Sequence, residues 1–205
     1  LRRDRARDFL SSSEFPRATD PATAVARKAP FDTVATVSGL LTLPASATVT
    51  ATSNDAAGTF INKVTPDLNI SAIIQSGVTS QITKLGNGTL ALSSANLNTG
   101  GWKLQDGTLI LNSATALGTT AGIFAIGDST TANTVPLTIL AGSAAIAVGA
   151  NPITINRDFT FGGTASTNNL TLGGAVNLGA LSLAGNLNGI APTSLGASTY
   201  TPPSP

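Results

Sequence analysis

The chain of 205 residues has no histidine and no cysteine. Without histidine there is no Ser-His-Asp or Cys-His arrangement, and without cysteine there is no thiol chemistry, no thiolate metal site and no disulfide scaffold. An extracellular location is not excluded by that, because cysteine-free surface proteins need only a sufficient core. Charge is also scarce: 10% of residues are Asp, Glu, Lys or Arg, against roughly 25% in an ordinary soluble domain. One Trp and one Tyr are too few for the aromatic girdles of a membrane barrel. The uncharged stretch from Phe159 to Pro205 is broken by Gly, Asn and Pro at intervals a bilayer helix does not tolerate, so no membrane insertion is expected.

The carboxylates do not pair either. Beyond the first thirty residues they are Asp32, Asp55, Asp67, Asp106, Asp128 and Asp158, one at a time, in contexts such as Asn54-Asp55 and Gly127-Asp128. Their reading is turn formation through side-chain hydrogen bonds, not general acid–base work. Gly-Gly-x-Gly-x-Asp calcium repeats are absent. Accordingly no catalytic, cofactor-binding or metal-binding residue is assigned, and no enzymatic activity or cofactor is expected.

The few charges are concentrated at one end. Residues 1–32 hold seven of the 11 Lys and Arg and five of the 10 Asp and Glu, with Pro16, Pro21 and Pro30 among them. This contrast marks a boundary: an extended polar N-terminal arm at 1–32, a neutral strand-rich body at 33–190 and a Pro-rich tail at 191–205. A secretory signal is not found, because the segment before Ala24-Val-Ala26 carries Glu14, Arg17 and Asp20 where an apolar stretch belongs. Leu1 is not a translation start, which reads as a chain cut from, or read out of, something longer.

What is abundant is a short alternation. Gly88-Thr-Leu-Ala-Leu92 and Gly107-Thr-Leu-Ile-Leu111 repeat one unit, in which a glycine turns the chain and alternate residues then define one apolar face. Weaker copies run from Thr33 onward: Thr33-Val-Ala-Thr-Val37, Leu40-Leu-Thr-Leu43, Ala47-Thr-Val-Thr50, Asp67-Leu-Asn-Ile70, Ser80-Gln-Ile-Thr83, Leu137-Thr-Ile-Leu140, Ala145-Ile-Ala-Val148, Ile153-Thr-Ile-Asn156, Phe159-Thr-Phe161, Asn169-Leu-Thr-Leu172, Ala175-Val-Asn-Leu178 and Leu181-Ser-Leu183. Steps of about five to ten residues leave no room for helices and suit a coil with strands on three sides. A sandwich or jelly roll is the rival. The recurrence of one local unit favours an all-β, right-handed parallel β-helix (β-solenoid).

Lys84, Gly86, Gly88-Thr-Leu90, Leu92-Ser93, Asn96, Thr99-Gly-Gly101, Gly107-Thr-Leu109, Leu111 and Ala116-Leu-Gly118 resemble the passenger-associated β-strand repeat of autotransporters. The likeness covers about 35 residues. It implies a right-handed parallel β-helix in an exported bacterial protein, an adhesin or a surface-structural protein, and no single activity. The chain departs from the autotransporter pattern in offering no translocator barrel.

Three further features have plain readings. Gly86-Asn-Gly88 begins like a dinucleotide fingerprint but has Ala91 where a third glycine belongs and opens a strand. Arg2, Arg3, Arg5 and Arg7 alternate with Asp4 and Asp8 in a chain of net charge +1, which speaks against nucleic acid as a partner. Trp102, after Gly100-Gly101, reads as a rung-filling or turn-covering side chain rather than a ligand platform. The last rungs, Val176 to Leu187, are uncharged, and an open neutral edge is a template for another chain. The expectation is a structural protein of the bacterial cell surface, partnered by itself head to tail in a filament or sheath. The alternatives are an adhesin passenger fragment, with surface glycans as partner class, and a phage fibre or tailspike.

Overall fold

The computed structural model describes residues 23–27, 34–53, 65–162 and 168–178. Among them there is no helix, and seventeen strands follow one another, numbered here in chain order. Every strand pairing among the described residues is parallel.

Sheet 1 stacks β1 (Thr23–Arg27), β4 (Thr48–Thr52), β7 (Ile82–Leu85), β9 (Gly101–Leu104), β11 (Ile123–Ile126), β14 (Ile153–Ile155) and β17 (Val176–Asn177) in that order. Sheet 2 stacks β2 (Ala35–Val37), β5 (Leu68–Ile70), β8 (Thr89–Leu92), β10 (Thr108–Leu111), β12 (Leu137–Ala141) and β15 (Phe159–Phe161). A third side carries two short pairs, β3 (Leu40–Leu41) with β6 (Ile73–Ile74) and β13 (Ile146–Val148) with β16 (Leu170–Leu172). The chain therefore visits sheet 1, sheet 2 and the third side in rotation, each pass landing beside the one before. That connectivity is consistent with a β-solenoid.

The segment expected as an arm contributes β1, which ladders with β4 over five residues, Thr23↔Thr48 through Arg27↔Thr52. Strand pairing thus starts ahead of Thr33, where the sequence reading began its strands. The two Gly-Thr-Leu-x-Leu units stack directly on each other: Thr89↔Thr108, Leu90↔Leu109, Ala91↔Ile110, Leu92↔Leu111. Identical or similar side chains thereby fall in columns, and the inward columns form the core. In sheet 1 one column runs Ile82, Trp102, Phe124, Ile153, Val176, and in sheet 2 another runs Leu68, Leu90, Leu109, Ile139, Phe161. All ten belong to or pack against one hydrophobic cluster. Burying one such large side chain stabilises by about 1.5–3 kcal/mol.

The side of sheet 2 opposite the core is buried too. Ala91, Ile110 and Leu140 form a second small cluster, and Thr89, Thr108 and Thr138 of the same strands are buried with them.

In the middle of the stack the third side has no strand. Asparagine side chains there supplement scattered backbone bonds such as that from the Leu97 amide to the Ile74 carbonyl at 2.8 Å. Asn96 accepts from the Ile74 amide at 3.0 Å and donates to the Ala116 carbonyl at 2.7 Å, so one buried side chain bridges the passes before and after it. Without such partners these buried backbone groups would each carry a desolvation penalty. Partners on successive middle passes are 19 to 22 residues apart. Those across β11 and β14 are 29 to 32 apart, because a loop at 128–136 leaves the stack between β11 and β12 and rejoins it in register.

Candidate functional site

The corner where sheet 1 hands the chain to sheet 2 collects the charged residues that lie inside the fold. Lys84 sits in β7 at the inward position between Val49 and Leu104. Its neighbours in that column are aliphatic, yet Lys84 is itself fully buried. Nζ donates to the carbonyls of Asp106 at 2.6 Å, Gly86 at 2.7 Å and, more weakly, Leu85 at 3.4 Å. Burial pushes its pKa down from 10.5 to about 7, and the charges of Asp106 and then Asp67 act the other way. The backbone of the corner is shaped for close approach. Gly107 has φ +73, and a Cβ there would stand 2.6 Å from the Gly86 carbonyl and 2.8 Å from Lys84 Nζ. Only glycine fits that conformation and that space.

Asp67 and Asp106 are buried and reach along the stack. Asp67 Oδ2 accepts the Thr89 amide at 2.8 Å, and the Asp67 amide donates to the Thr89 carbonyl at 2.9 Å. Asp106 Oδ1 accepts the Thr134 amide, the Thr134 hydroxyl at 3.0 Å and the Val135 amide at 3.4 Å. Both were expected as local turn formers. Instead each carboxylate ties its own pass to the next, and Asp106 fixes the far end of the 128–136 loop. Gln105 holds the loop's middle, Nε2 donating to the Thr131 carbonyl at 3.1 Å.

Asp128 does behave as a turn former, Oδ1 accepting the Thr130 and Thr131 amides at 2.8 and 3.0 Å. Its Oδ2 meets Lys103 Nζ at 2.6 Å. The Lys103 contact, then the hydroxyl and amide of Thr130 and the amide of Thr131, hold this carboxyl well below the usual range. Arg157 Nε donates to the Asp128 carbonyl at 2.9 Å. Asp158 is exposed. Asp32 and Asp55, like Arg2, Arg3, Arg5 and Arg7, lie outside the described residues.

Trp102 is fully buried in the core column, its Nε1 without a hydrogen-bond partner. The rung-filling reading holds for it. Gly86-Asn87-Gly88 precedes β8, a strand, as expected; Asn87 Oδ1 accepts the Ser53 amide at 3.1 Å. A second polar column runs across the passes at intermediate exposure: Ser93 Oγ donates to Asn69 Oδ1 at 2.7 Å, and Asn112 Nδ2 to Ser93 Oγ at 3.0 Å. Among the described residues no three His, Cys, Asp or Glu gather as a metal set, and no helix is long and apolar enough to cross a membrane.

The corner can neutralise charge and lock successive passes together. The inward lysine was missed by the sequence reading, although the alternation Ile82-Thr-Lys84-Leu puts Lys84 on the same face as Ile82. Compared with known proteins, the chain matches no family model, no curated protein and no solved structure.

Proposed function

We propose that this chain is a subunit of an extracellular bacterial surface structure, a right-handed parallel β-helix that self-associates end to end into a filament or sheath. The observation that carries the reading is the character of the outermost described strands. All the ladders among the described residues are parallel, and β15, β16 and β17, each the last described strand of its sheet, carry no charged residue. β1, β2 and β3 stand at the opposite edges of the same three sides. A parallel edge of one copy is complementary to the opposite edge of another, so the contact is head to tail and repeats without closing. Right-handedness follows from the strong preference of parallel crossovers. The autotransporter-like repeat supports export to the cell surface. The final rungs read from sequence, beyond Leu178, lie outside the described residues.

Negative-stain microscopy of the purified chain tests this. Filaments of uniform width that lengthen with concentration are the expected result. Particles that stay discrete at high concentration refute the polymer, and compact trimers turn the assignment to a phage fibre. Deleting residues 1–30 removes β1 and bares the edge of β4, so it is expected to change the assembly.

A second reading, an adhesin passenger that binds surface glycans, draws on the Asn69–Ser93–Asn112 column, whose linked amides and hydroxyl run along the stack. It predicts glycan-array binding by monodisperse protein that is lost in Asn112→Ala.

A further inference from the structure

We infer that the corner between sheets 1 and 2 is a cradle for a monovalent cation, in which the ammonium of Lys84 is the resident ion, tethered by its own side chain. This stands on the geometry of the corner and is independent of any assembly.

An aliphatic side chain fills the equivalent inward position in the passes on either side, Val49 and Leu104. Lysine there brings a charge that is costly to bury unless its donors are met. They are met by backbone. An ammonium has three donors, and three carbonyl oxygens face this one: Asp106, Gly86 and Leu85, at 2.6, 2.7 and 3.4 Å. The oxygens come from two successive passes. Leu85 ends β7 and Gly86 follows it, while Asp106 belongs to the connection after β9. The wall behind them is backbone as well, since Gly107 leaves no room for a Cβ beside Nζ.

This is a carbonyl cage of the sort that replaces the hydration shell of a potassium ion. Its chemistry selects the ligand class. Neutral carbonyls suit a weakly hydrated monovalent cation. A divalent ion would call for direct carboxylate ligands, whereas the three oxygens around Nζ are all backbone carbonyls and Asp106 Oδ1 is hydrogen-bonded to Thr134 and Val135. Asp67 and Asp106 contribute background negative charge. Lysine at the head of the Lys-x-Gly-x-Gly-Thr-Leu run thus supplies the ion around which the two glycine turns close.

The test uses the full chain with Lys84→Ala, which deletes three carbons and the nitrogen. The variant is unfolded and refolded at pH 6 in chlorides of n-propylammonium, ammonium, potassium or tetramethylammonium at equal ionic strength, and unfolding is followed by the fluorescence of Trp102. The first three ions are expected to raise the folded-to-unfolded ratio roughly tenfold when present at about ten times their Kd, as for any ligand specific to the folded state. Tetramethylammonium, too large for the cage, is expected to do nothing. Equal behaviour in all four salts overturns the inference. Should the variant fold in none of them, the intact chain decides. With 15N-labelled lysine at pH 6, the Lys84 side chain is expected to give an ammonium resonance whose protons exchange slowly. A neutral-amine resonance, or exchange as fast as that of free lysine in the same buffer, overturns it equally.

Discussion

The stability of this protein should rise with pH from about 7 to about 10.5, and Lys84 should be the cause. Its pKa in the fold is about 7, against 10.5 for a free lysine. Between those values the unfolded chain binds a proton at this position that the folded chain has released, so unfolding takes up protons and the free energy of unfolding increases with pH. Below about pH 7 both states are protonated, and the part of the desolvation cost that the carbonyls and carboxylates do not offset is present; above about 10.5 it has vanished. A tenfold change in proton affinity is worth about 1.4 kcal/mol, so a gap of roughly 3.5 between the folded and unfolded pKa values sets a ceiling of about 5 kcal/mol. Because the side chain is fully buried, solvent does not screen the effect. The charges that face it, opposing the effect of burial, are those of Asp106 and then Asp67. The assay is urea unfolding read by the single tryptophan, Trp102, at half-unit steps from pH 6 to 10, with Lys84→Met as the reference that removes only this titration. The expected result is a difference between the two profiles that grows with pH and a denaturant slope that stays constant. Parallel profiles, or a wild-type curve that falls relative to Lys84→Met, would refute the reasoning.

Three other outcomes follow from the packing and the hydrogen bonds. Leu109→Ala removes a fully buried side chain stacked between Leu90 and Ile139 and should cost about 2–5 kcal/mol in chemical denaturation; a loss under about 1 kcal/mol would mean the column does not hold the core. Asn96→Ala strands the Ile74 amide and the Ala116 carbonyl, with an expected loss of about 2–3 kcal/mol and faster hydrogen exchange at Ile74, while unchanged exchange there would contradict the bridge. Asp128→Asn breaks the Lys103 ion pair, which is only partly exposed at 25% and 17%, for about 1 kcal/mol. Because the Asp128 carboxyl titrates below the usual range, that contribution is present at neutral pH and lost as pH falls below about 4, so acid titrations of wild type and variant should converge there.

Much of the stack was legible because a strand's period of two is written locally. The alternating segments read between Ala47 and Leu178 recur as strands, although β6, β9 and β11 had no segment read for them, and the paired Gly-Thr-Leu-x-Leu units occupy adjacent rungs. β1 escaped because Thr23-Ala-Val-Ala-Arg27 lies between Pro21 and Pro30 in a charged context, and only its pairing with β4 makes it a strand. The corner escaped for another reason. Asp67 and Asp106 find their partners 22 and 28 residues away, and no sequence window shows which amide a carboxylate will meet one pass later. Asp128, whose amide partners are two and three residues on, was readable as a turn. Lys84 was readable in part: its phase in the alternation marks it as inward, but the carbonyls that make an inward lysine tolerable come from the fold.

The unequal lengths of the passes have a consequence for how such a chain can change. Register along the stack is set by inward columns, so 20 residues between partners in one place and 32 in another give the same pairing. The loop at 128–136 is anchored at its two ends by Asp128 and Asp106, and what lies between those anchors bears on no ladder. That stretch is a port: a foreign segment of arbitrary length grafted between Thr131 and Asn133 would be displayed at a fixed height on the stack while the rungs above and below kept their alignment, and descent by insertion and deletion at this corner would leave the scaffold intact.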